Sequence, residues 1–257
     1  MLSDLKYSLV KLIKEVVYPK GEPYSFNGRT LKFKANCRPV KRKFLNYPSD
    51  VVRNDVLQIN YLENTFKPSD ILWDIGSHAG HYAVFAASIV KGENQVFSFE
   101  PDSSARKSQM ETIQLNKFSP KIKVFDFAVS DQDGVIQFLD QGGNANSHIL
   151  KKDSGEDGKI TKMNCRSLNS LLKELPAPSF VKIDTEGAEI DILKGASELL
   201  KNSSVKFICE LHPFAWDHFG VTYSEFTDIL AAHGRTITLL DDRKSLSELP
   251  YYGTVLF

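Results

Sequence analysis

From residue 71 onward, short apolar runs alternate with longer segments whose apolar residues recur every three or four positions. Runs of four to eight residues rich in β-branched and aromatic side chains are strand patterns, and the three-to-four spacing is that of a helix burying one face. The runs place strands at residues 71–75 (ILWDI), 95–99 (QVFSF), 121–128, 179–183 (SFVKI), 205–211 (VKFICEL), 235–240 and 252–257. Helices fall between most of them, at 80–90, 102–116, 188–200 and 222–233. This alternation predicts an α/β fold, a doubly wound seven-stranded and mostly parallel sheet. After the third strand, Asp131-Gln132-Asp133-Gly134 turns into GVIQFLD, an additional strand by its own alternation. The last strand, YGTVLF, follows its predecessor with no room for a crossover helix and is expected to run antiparallel. Residues 140–160 are polar, Gly-rich and without period, a loop long enough to suggest a functional role.

Ahead of this region the pattern differs. Leu2, Leu5, Leu9, Leu12, Ile13, Val16 and Val17 form a helical stripe with lysines between them, closed by Pro19 and Gly21. Residues 24–34 read as a hairpin turning at Asn27-Gly28. The division that follows is a basic N-terminal extension over 1–60 and one catalytic-size domain over 61–257.

Composition changes this picture in one respect. Of 257 residues, 42% are hydrophobic and 25% charged, which excludes a disordered, collagen-like or coiled-coil chain. The formal net charge is zero, but it hides an asymmetry: residues 1–43 hold 11 Lys+Arg against 3 Asp+Glu, and the remainder holds 21 against 29. A basic segment of +8 thus precedes a body of −8, which is adverse to nucleic-acid binding by the body. The excess of lysine and arginine suggests that residues 1–43 serve acceptor or partner engagement more than cofactor binding. Cys37, Cys165 and Cys209 have no metal-type or disulfide spacing and read as reduced structural thiols. No apolar run reaches membrane-span length and no secretory leader is visible, so the expectation is a cytoplasmic protein.

The chemistry gathers at predicted strand ends. Asp74-Ile75-Gly76-Ser77-His78-Ala79-Gly80 lies where the first strand turns into the first helix, the place where open α/β sheets bind ligands. Gly76 and Gly80 allow close backbone approach, and Asp74 supplies a carboxylate. Twenty residues beyond Gly80, Phe99-Glu100-Pro101 ends the second strand with an acid able to accept both hydroxyls of a ribose. A dinucleotide site needs one more glycine and no acid facing its pyrophosphate; a carboxylate suits a sulfonium or an ammonium. S-adenosylmethionine (SAM) carries both.

These residues resemble the FkbM-type methyltransferases within the class I SAM-dependent methyltransferases, over 63–257. The resemblance rests on Glu63 ahead of the first strand, Asp74 to Gly80, Phe99-Glu100-Pro101, Ala128-Val129-Ser130-Asp131 with Gly134, Asp184-Thr185-Glu186-Gly187-Ala188-Glu189, and Glu210-Leu211-His212. Two positions depart from the family pattern: His78 stands where Asn is usual, and Asn169 where an acid is usual. The resemblance implies that Glu63, Asp74, Gly76, Ser77, His78, Gly80, Glu100 and Pro101 belong to the SAM site. It sets Asp126 to the adenine amino group and Phe127 near the ring. It implies methyl transfer to a hydroxyl of a sugar or other small acceptor, a small molecule or glycan, with no nucleic-acid partner.

An alcohol must lose its proton on methylation, and the candidates for base are Asp184, Glu186, Glu210 and His212. Glu189 reads as a first-turn helix acid. Mg²⁺ or Ca²⁺ at these strand-tip acids lacks a supporting spacing motif, so no metal ligand is assigned. His148, Trp216, His218 and Phe219 are candidates for acceptor contact, with core packing the other reading for Trp216 and Phe219. Two rival functions are carried: a protein or nucleic-acid methyltransferase, and a SAM-binding scaffold that docks a partner through its basic N-terminus.

Overall fold

A computed structural model describes residues 16–26, 28–34, 49–140, 147–150, 159–242 and 244–257. The predicted helix over 2–17 and the basic run at 41–43 lie almost wholly outside the described residues, as does Cys37. The hairpin is present as β1 (Glu22–Phe26) and β2 (Arg29–Phe33), with Gly28 at φ +70° in its turn. Helix α1 (Ser49–Thr65) follows. Strand and helix then alternate through β3 (Leu72–Ile75), α2 (His81–Ile89), β4 (Val96–Phe99), α3 (Ser103–Leu115) and β5 (Ile122–Phe125). After an excursion described below come β10 (Phe180–Ile183), α5 (Glu189–Lys194), α6 (Ser197–Lys201), β11 (Lys206–Leu211), α7 (Trp216–Phe219), α8 (Tyr223–Ala232), β12 (Thr238–Leu239) and β13 (Gly253–Leu256).

The main sheet has seven strands in the order β12-β13-β11-β10-β3-β4-β5. Strands β5, β4, β3, β10 and β11 are parallel, and β13 pairs antiparallel with β11, as its short connection requires. Strand order reverses between β3 and β10, so the crevice at their carboxyl ends is the expected place for a ligand. The central strands are buried on both faces and divide their side chains by alternation. Trp73, Ile75, Phe97, Phe99, Val181, Ile183, Phe207 and Cys209 pack under α5–α8. Leu72, Val96, Phe180 and Ile208 pack on the other face with α1, α2 and the hairpin, where Phe26, Leu31 and Phe33 surround Phe85. Cys165 and Cys209 are buried within this packing.

The excursion between β5 and β10 is larger than the sequence pattern shows. The chain leaves the main sheet after Phe125, so the strand expected over 121–128 is two: β5, and β6 (Ala128–Val129) in a second sheet. That sheet adds β7 (Gly134–Asp140), β8 (His148–Leu150) and β9 (Lys159–Arg166) in the order β6-β9-β7-β8, followed by the short helix α4 (Leu168–Leu171). The expected loop over 140–160 therefore holds a strand, β8, and ends in another. The helix expected over 188–200 is two, α5 and α6, parted at Gly195, which caps α5 and lies against the Ser130 carbonyl, where a Cβ would stand 2.6 Å from that oxygen.

Helix α1 runs across residue 60, so the division between extension and domain falls inside a helix that packs on β13 and α2. Since Phe26, Leu31 and Phe33 are core residues, the hairpin belongs to the body, and the whole of 1–43 is not a detachable tail. Among the described residues no helix is long and apolar enough to cross a membrane.

Candidate active site

A cavity enclosing about 950 Å³, solvent at its mouth included, opens at the carboxyl ends of β3, β4, β10 and β11. One half is walled by Phe99, Glu100, Pro101, Ala128, Val129, Phe138 and Ile149, so the second sheet roofs it. The other half is walled by Asp55, Asp184, Thr185, Glu186, Glu210 and Tyr252. Among the described residues no Lys or Arg lines it.

Glu100 stands at the tip of β4, buried, where its Oε2 accepts from the His78 amide at 2.6 Å and its Oε1 from the Asp102 amide at 2.7 Å. Burial pushes its carboxyl up to about 7, against those two amides. His78 reaches this geometry by adopting φ +47°, a left-handed conformation that Asn and His tolerate better than most residues. Its exchange for the usual Asn therefore preserves the backbone. Next door, Asp102 caps α3 through the Ser104 and Ala105 amides and accepts the Ser147 hydroxyl at 2.8 Å, tying the approach to β8 to the cavity rim.

The glycine loop acts differently from the expectation of free space for a ligand. Gly76 lines the cavity at φ +71°, but a Cβ there would stand 1.9 Å from the Asp184 carbonyl, so glycine lets the tips of β3 and β10 close together. A Cβ on Gly80, φ +80°, would strike Gln109 of α3 at 2.3 Å, and Ser77 faces the same Gln109. Neither Ser77 nor Gly80 lines the cavity. Asp74 also lies behind the wall: on β3 it shares a face with Leu72, beneath α2, level with Lys182 and Ser98 on the neighbouring strands. Burial raises its carboxyl to about 6, with the Lys182 ammonium opposing that shift.

Lys182 is the one cation on that buried face that the sequence reading passed over. It sits inside an apolar strand, 2.8 Å from Asp184 Oδ2 and 4.3 Å from the centre of the Tyr82 ring. Burial works against charge on Asp184, but Lys182 and His212 hold its carboxyl below the usual range. From the neighbouring strand, Glu210 accepts from Gln58 Nε2 at 2.6 Å and from the Tyr252 hydroxyl. Burial and the charge of Asp184 raise its carboxyl to about 7. Glu186 faces the cavity at φ +54°, a strained conformation for this residue. Burial raises it to about 7, with Asp184, Glu210 and Glu189 adding to the shift and His212 opposing it.

His212 is buried at the end of β11. Its Nδ1 lies 2.9 Å from Glu189 Oε1, which also accepts the Gly187 amide, while Glu189 Oε2 accepts the Trp216 indole N–H. Burial alone would lower the imidazole; the Glu189 hydrogen bond and charge, with Glu186 and Glu210, overcome this and push it up to about 10. Glu189, read as a plain helix acid, is thus the anchor of His212, and Trp216 is a core residue tied to that anchor.

The remaining expected residues are placed as follows. Glu63 lies eight residues beyond Asp55, the α1 residue that lines the cavity, and is partly exposed and near Tyr24; Asp55 and Gln58 of the same helix reach the site instead. Asp126 is exposed and Phe127 half-buried, and neither lines the cavity, because the chain turns there from β5 into β6. His148 lines the cavity, His218 is exposed away from it, and Phe219 is core.

Asp184, Glu210 and His212 bring one ligand-type atom each to within 4.8 Å of one another. The site also fits a SAM molecule, because a buried carboxylate, Glu100, stands beside an apolar wall and faces a cluster of acids suited to a cation.

Comparison with known proteins gives a family. Residues 74–237 match the model of the methyltransferase FkbM domain. A hexuronic acid methyltransferase, AglP, of Haloferax volcanii is 31% identical over 157 residues, covering 60% of this chain and 61% of that protein. The AMB antimetabolite synthetase AmbE of Pseudomonas aeruginosa is 20% identical over 214 residues, 68% of this chain and 10% of that one. The chain thus spans less than two thirds of the length of both relatives. A crystal structure of methyltransferase FkbM from Methylobacillus flagellatus KT is similar at a TM-score of 0.49 and 14% identity, covering 87% of this chain and 57% of that chain.

Proposed function

Because the chain belongs to the methyltransferase FkbM domain family, we propose that it transfers the methyl group of SAM to a hydroxyl of a sugar or another small polyol-like acceptor. The observation that carries this reading is the division of one cavity into an adenosine-type half, Glu100 beside Phe99, Val129, Phe138 and Ile149, and an acidic half at the tips of β10 and β11. The similarity to a hexuronic acid methyltransferase supports a sugar acceptor.

SAM supplies an electrophilic methyl on a sulfonium. Glu100 would accept the ribose hydroxyls and the apolar wall would take the adenine, while Gly76, by letting the tips of β3 and β10 close together, fixes the floor between the two halves. The acidic half holds the acceptor hydroxyl in line with the methyl carbon, a positioning requirement that precedes any proton transfer. With SAM bound, the acceptor oxygen would take the methyl group as the carbon–sulfur bonding pair returns to sulfur, and Glu186 would receive the hydroxyl proton. Glu186 suits that role because it faces the cavity, accepts no hydrogen bond among the described residues, and has a carboxyl near 7, close to the operating pH. Asp184 is held as an anion by Lys182, Glu210 has both oxygens engaged, and His212 already carries its proton, so these three position and balance charge.

The test is formation of S-adenosylhomocysteine by the full chain with a panel of neutral, amino and uronic sugars. Turnover with at least one acceptor, reduced roughly 10²- to 10⁴-fold in Glu186→Gln, is the expected result. SAM binding without turnover on any of them would favour the scaffold reading, and absence of SAM binding would end both.

A further inference from the structure

We infer that Asp184, Glu210 and His212 form a centre for one divalent transition-metal ion. Strands β10 and β11 are parallel neighbours with Ile183 opposite Cys209, so Asp184 and Glu210 emerge side by side at the tips and His212 follows two residues later. His212 Nε2 lies 3.8 Å from Asp184 Oδ1, 3.9 Å from Glu210 Oε1 and 3.6 Å from Glu186 Oε2. These separations exceed hydrogen-bond reach. They match two ligands that share an ion at about 2.0–2.2 Å each, with ligand–ion–ligand angles of roughly 110–140°.

A second observation points to an ion rather than to a mere acid cluster. The His212 side chain is only 2% exposed, and its Nε2 aims into this space without a hydrogen bond, while Nδ1 is fixed by Glu189. Glu189 is itself held by the Gly187 amide and the Trp216 indole. A carboxylate that pins one ring nitrogen so that the other faces outward is the usual support of a metal-ligating histidine. Gln58 and Tyr252 do the same for Glu210. Of the nearby cations, Lys182 is committed to Asp184 and the Tyr82 ring, so three carboxylates, Asp184, Glu186 and Glu210, converge on the space that His212 Nε2 faces.

One imidazole with two carboxylates favours Mn²⁺, Co²⁺ or Zn²⁺ over the Mg²⁺ or Ca²⁺ that oxygen ligands alone would suggest. Open positions on the ion face the acidic half of the cavity, where it would hold and polarise the acceptor hydroxyl. That role rests on the methyl-transfer reading above; the binding of the ion does not.

The experiment uses the full chain, treated with chelator, dialysed, and titrated with Co²⁺ while visible absorption and proton release are followed. We expect one Co²⁺ per chain with a ligand-field spectrum, and release of protons on binding as the ion displaces the His212 proton. Affinity should fall at least tenfold in Glu210→Gln and His212→Ala, and roughly 10- to 100-fold in Glu189→Gln, which touches no ion. Circular dichroism checks that each variant is folded; should His212→Ala fail to fold, Glu210→Gln decides. Lack of saturable binding, or binding unchanged in Glu210→Gln, overturns the inference. S-adenosylhomocysteine binding in the same samples separates the two ideas: retained binding without Co²⁺ uptake ends the metal centre and leaves methyl transfer standing.

Discussion

The pH dependence of adenosine binding is a direct reading of Glu100. Its carboxyl is raised by burial to about 7 from an ordinary 4.5. Only the carboxylate accepts both ribose hydroxyls while keeping the His78 and Asp102 amides. With a pKa near 7, about one molecule in eleven is ionised at pH 6 and about ten in eleven at pH 8, a roughly tenfold difference in competent protein. Adenosine is the right probe because it carries the ribose and no group that titrates in this range. Affinity measured by calorimetry should therefore rise about tenfold from pH 6 to pH 8. Glu100→Gln should remove the slope and weaken binding at pH 8 by tenfold or more, since a hydrogen bond to a charged group contributes about 1.5–3 kcal/mol. Stability runs the other way. A carboxyl raised in the folded state favours folding below pH 4.5 and loses that contribution as pH rises to 7, about 3 kcal/mol in all. The parent should gain affinity as it loses stability across overlapping pH ranges. A flat affinity profile for the parent, or Glu100→Gln equal to it at pH 8, would refute the assignment of the ribose to this residue.

Other perturbations follow from the same packing. Gly76→Ala places a methyl 1.9 Å from the Asp184 carbonyl at a left-handed φ, and urea unfolding should show a loss above about 3 kcal/mol; a loss under 1 kcal/mol would mean that the strand tips are not locked together. Lys182→Met strips Asp184 and Asp74 of their buried cation and should cost about 3–5 kcal/mol by the same assay, whereas an unchanged midpoint would show that the pair contributes nothing net. Removing residues 1–43 takes away the buried Phe26, Leu31 and Phe33 and should cost roughly 5 kcal/mol or more by thermal unfolding; a midpoint equal to the parent's would place the hairpin outside the core.

Why some of this was legible in the sequence and some not has a physical explanation. The parallel sheet was legible because strands buried on both faces must be short and almost wholly apolar, as in QVFSF and SFVKI. Strand β9 was not, because KITKMNCR lies at the surface and buries only every second side chain, with Cys165 the one fully covered. The position of Asp74 is legible too: in ILWDI the period of two sets Leu72 and Asp74 on one face and Trp73 and Ile75 on the other, so the acid points beneath α2. Asp55 and Gln58 could not have been found by motif, since Gln58 meets Glu210 across 152 residues of chain. Lys182 was findable, as a lone cation in an apolar strand has to be paired.

The glycines and the strained Glu186 form one device. Gly76 brings the backbone of β3 onto the carbonyl of Asp184, and Gly187, at φ +118°, allows Phe219 and Ala215 to close on the turn from the other side. Between these contacts the segment from Asp184 to Gly187 has no freedom to relax, so Glu186 is held at φ +54° and directed into the cavity. Strain of this kind persists only where the surroundings over-determine it. The same clamp fixes the Gly187 amide on Glu189, and through Glu189 the imidazole of His212. The reacting end of the site is therefore held from both sides, whereas the rest of the wall is built from β7 and β8 of the second sheet and, beside Glu210, from Tyr252 of the last connection. Differences in acceptor among proteins sharing this fold should accordingly map to Phe138, Ser147, His148 and Tyr252, and exchanging those residues should alter acceptor preference while leaving adenosine affinity within a few-fold, except at Phe138, which also walls the adenine half.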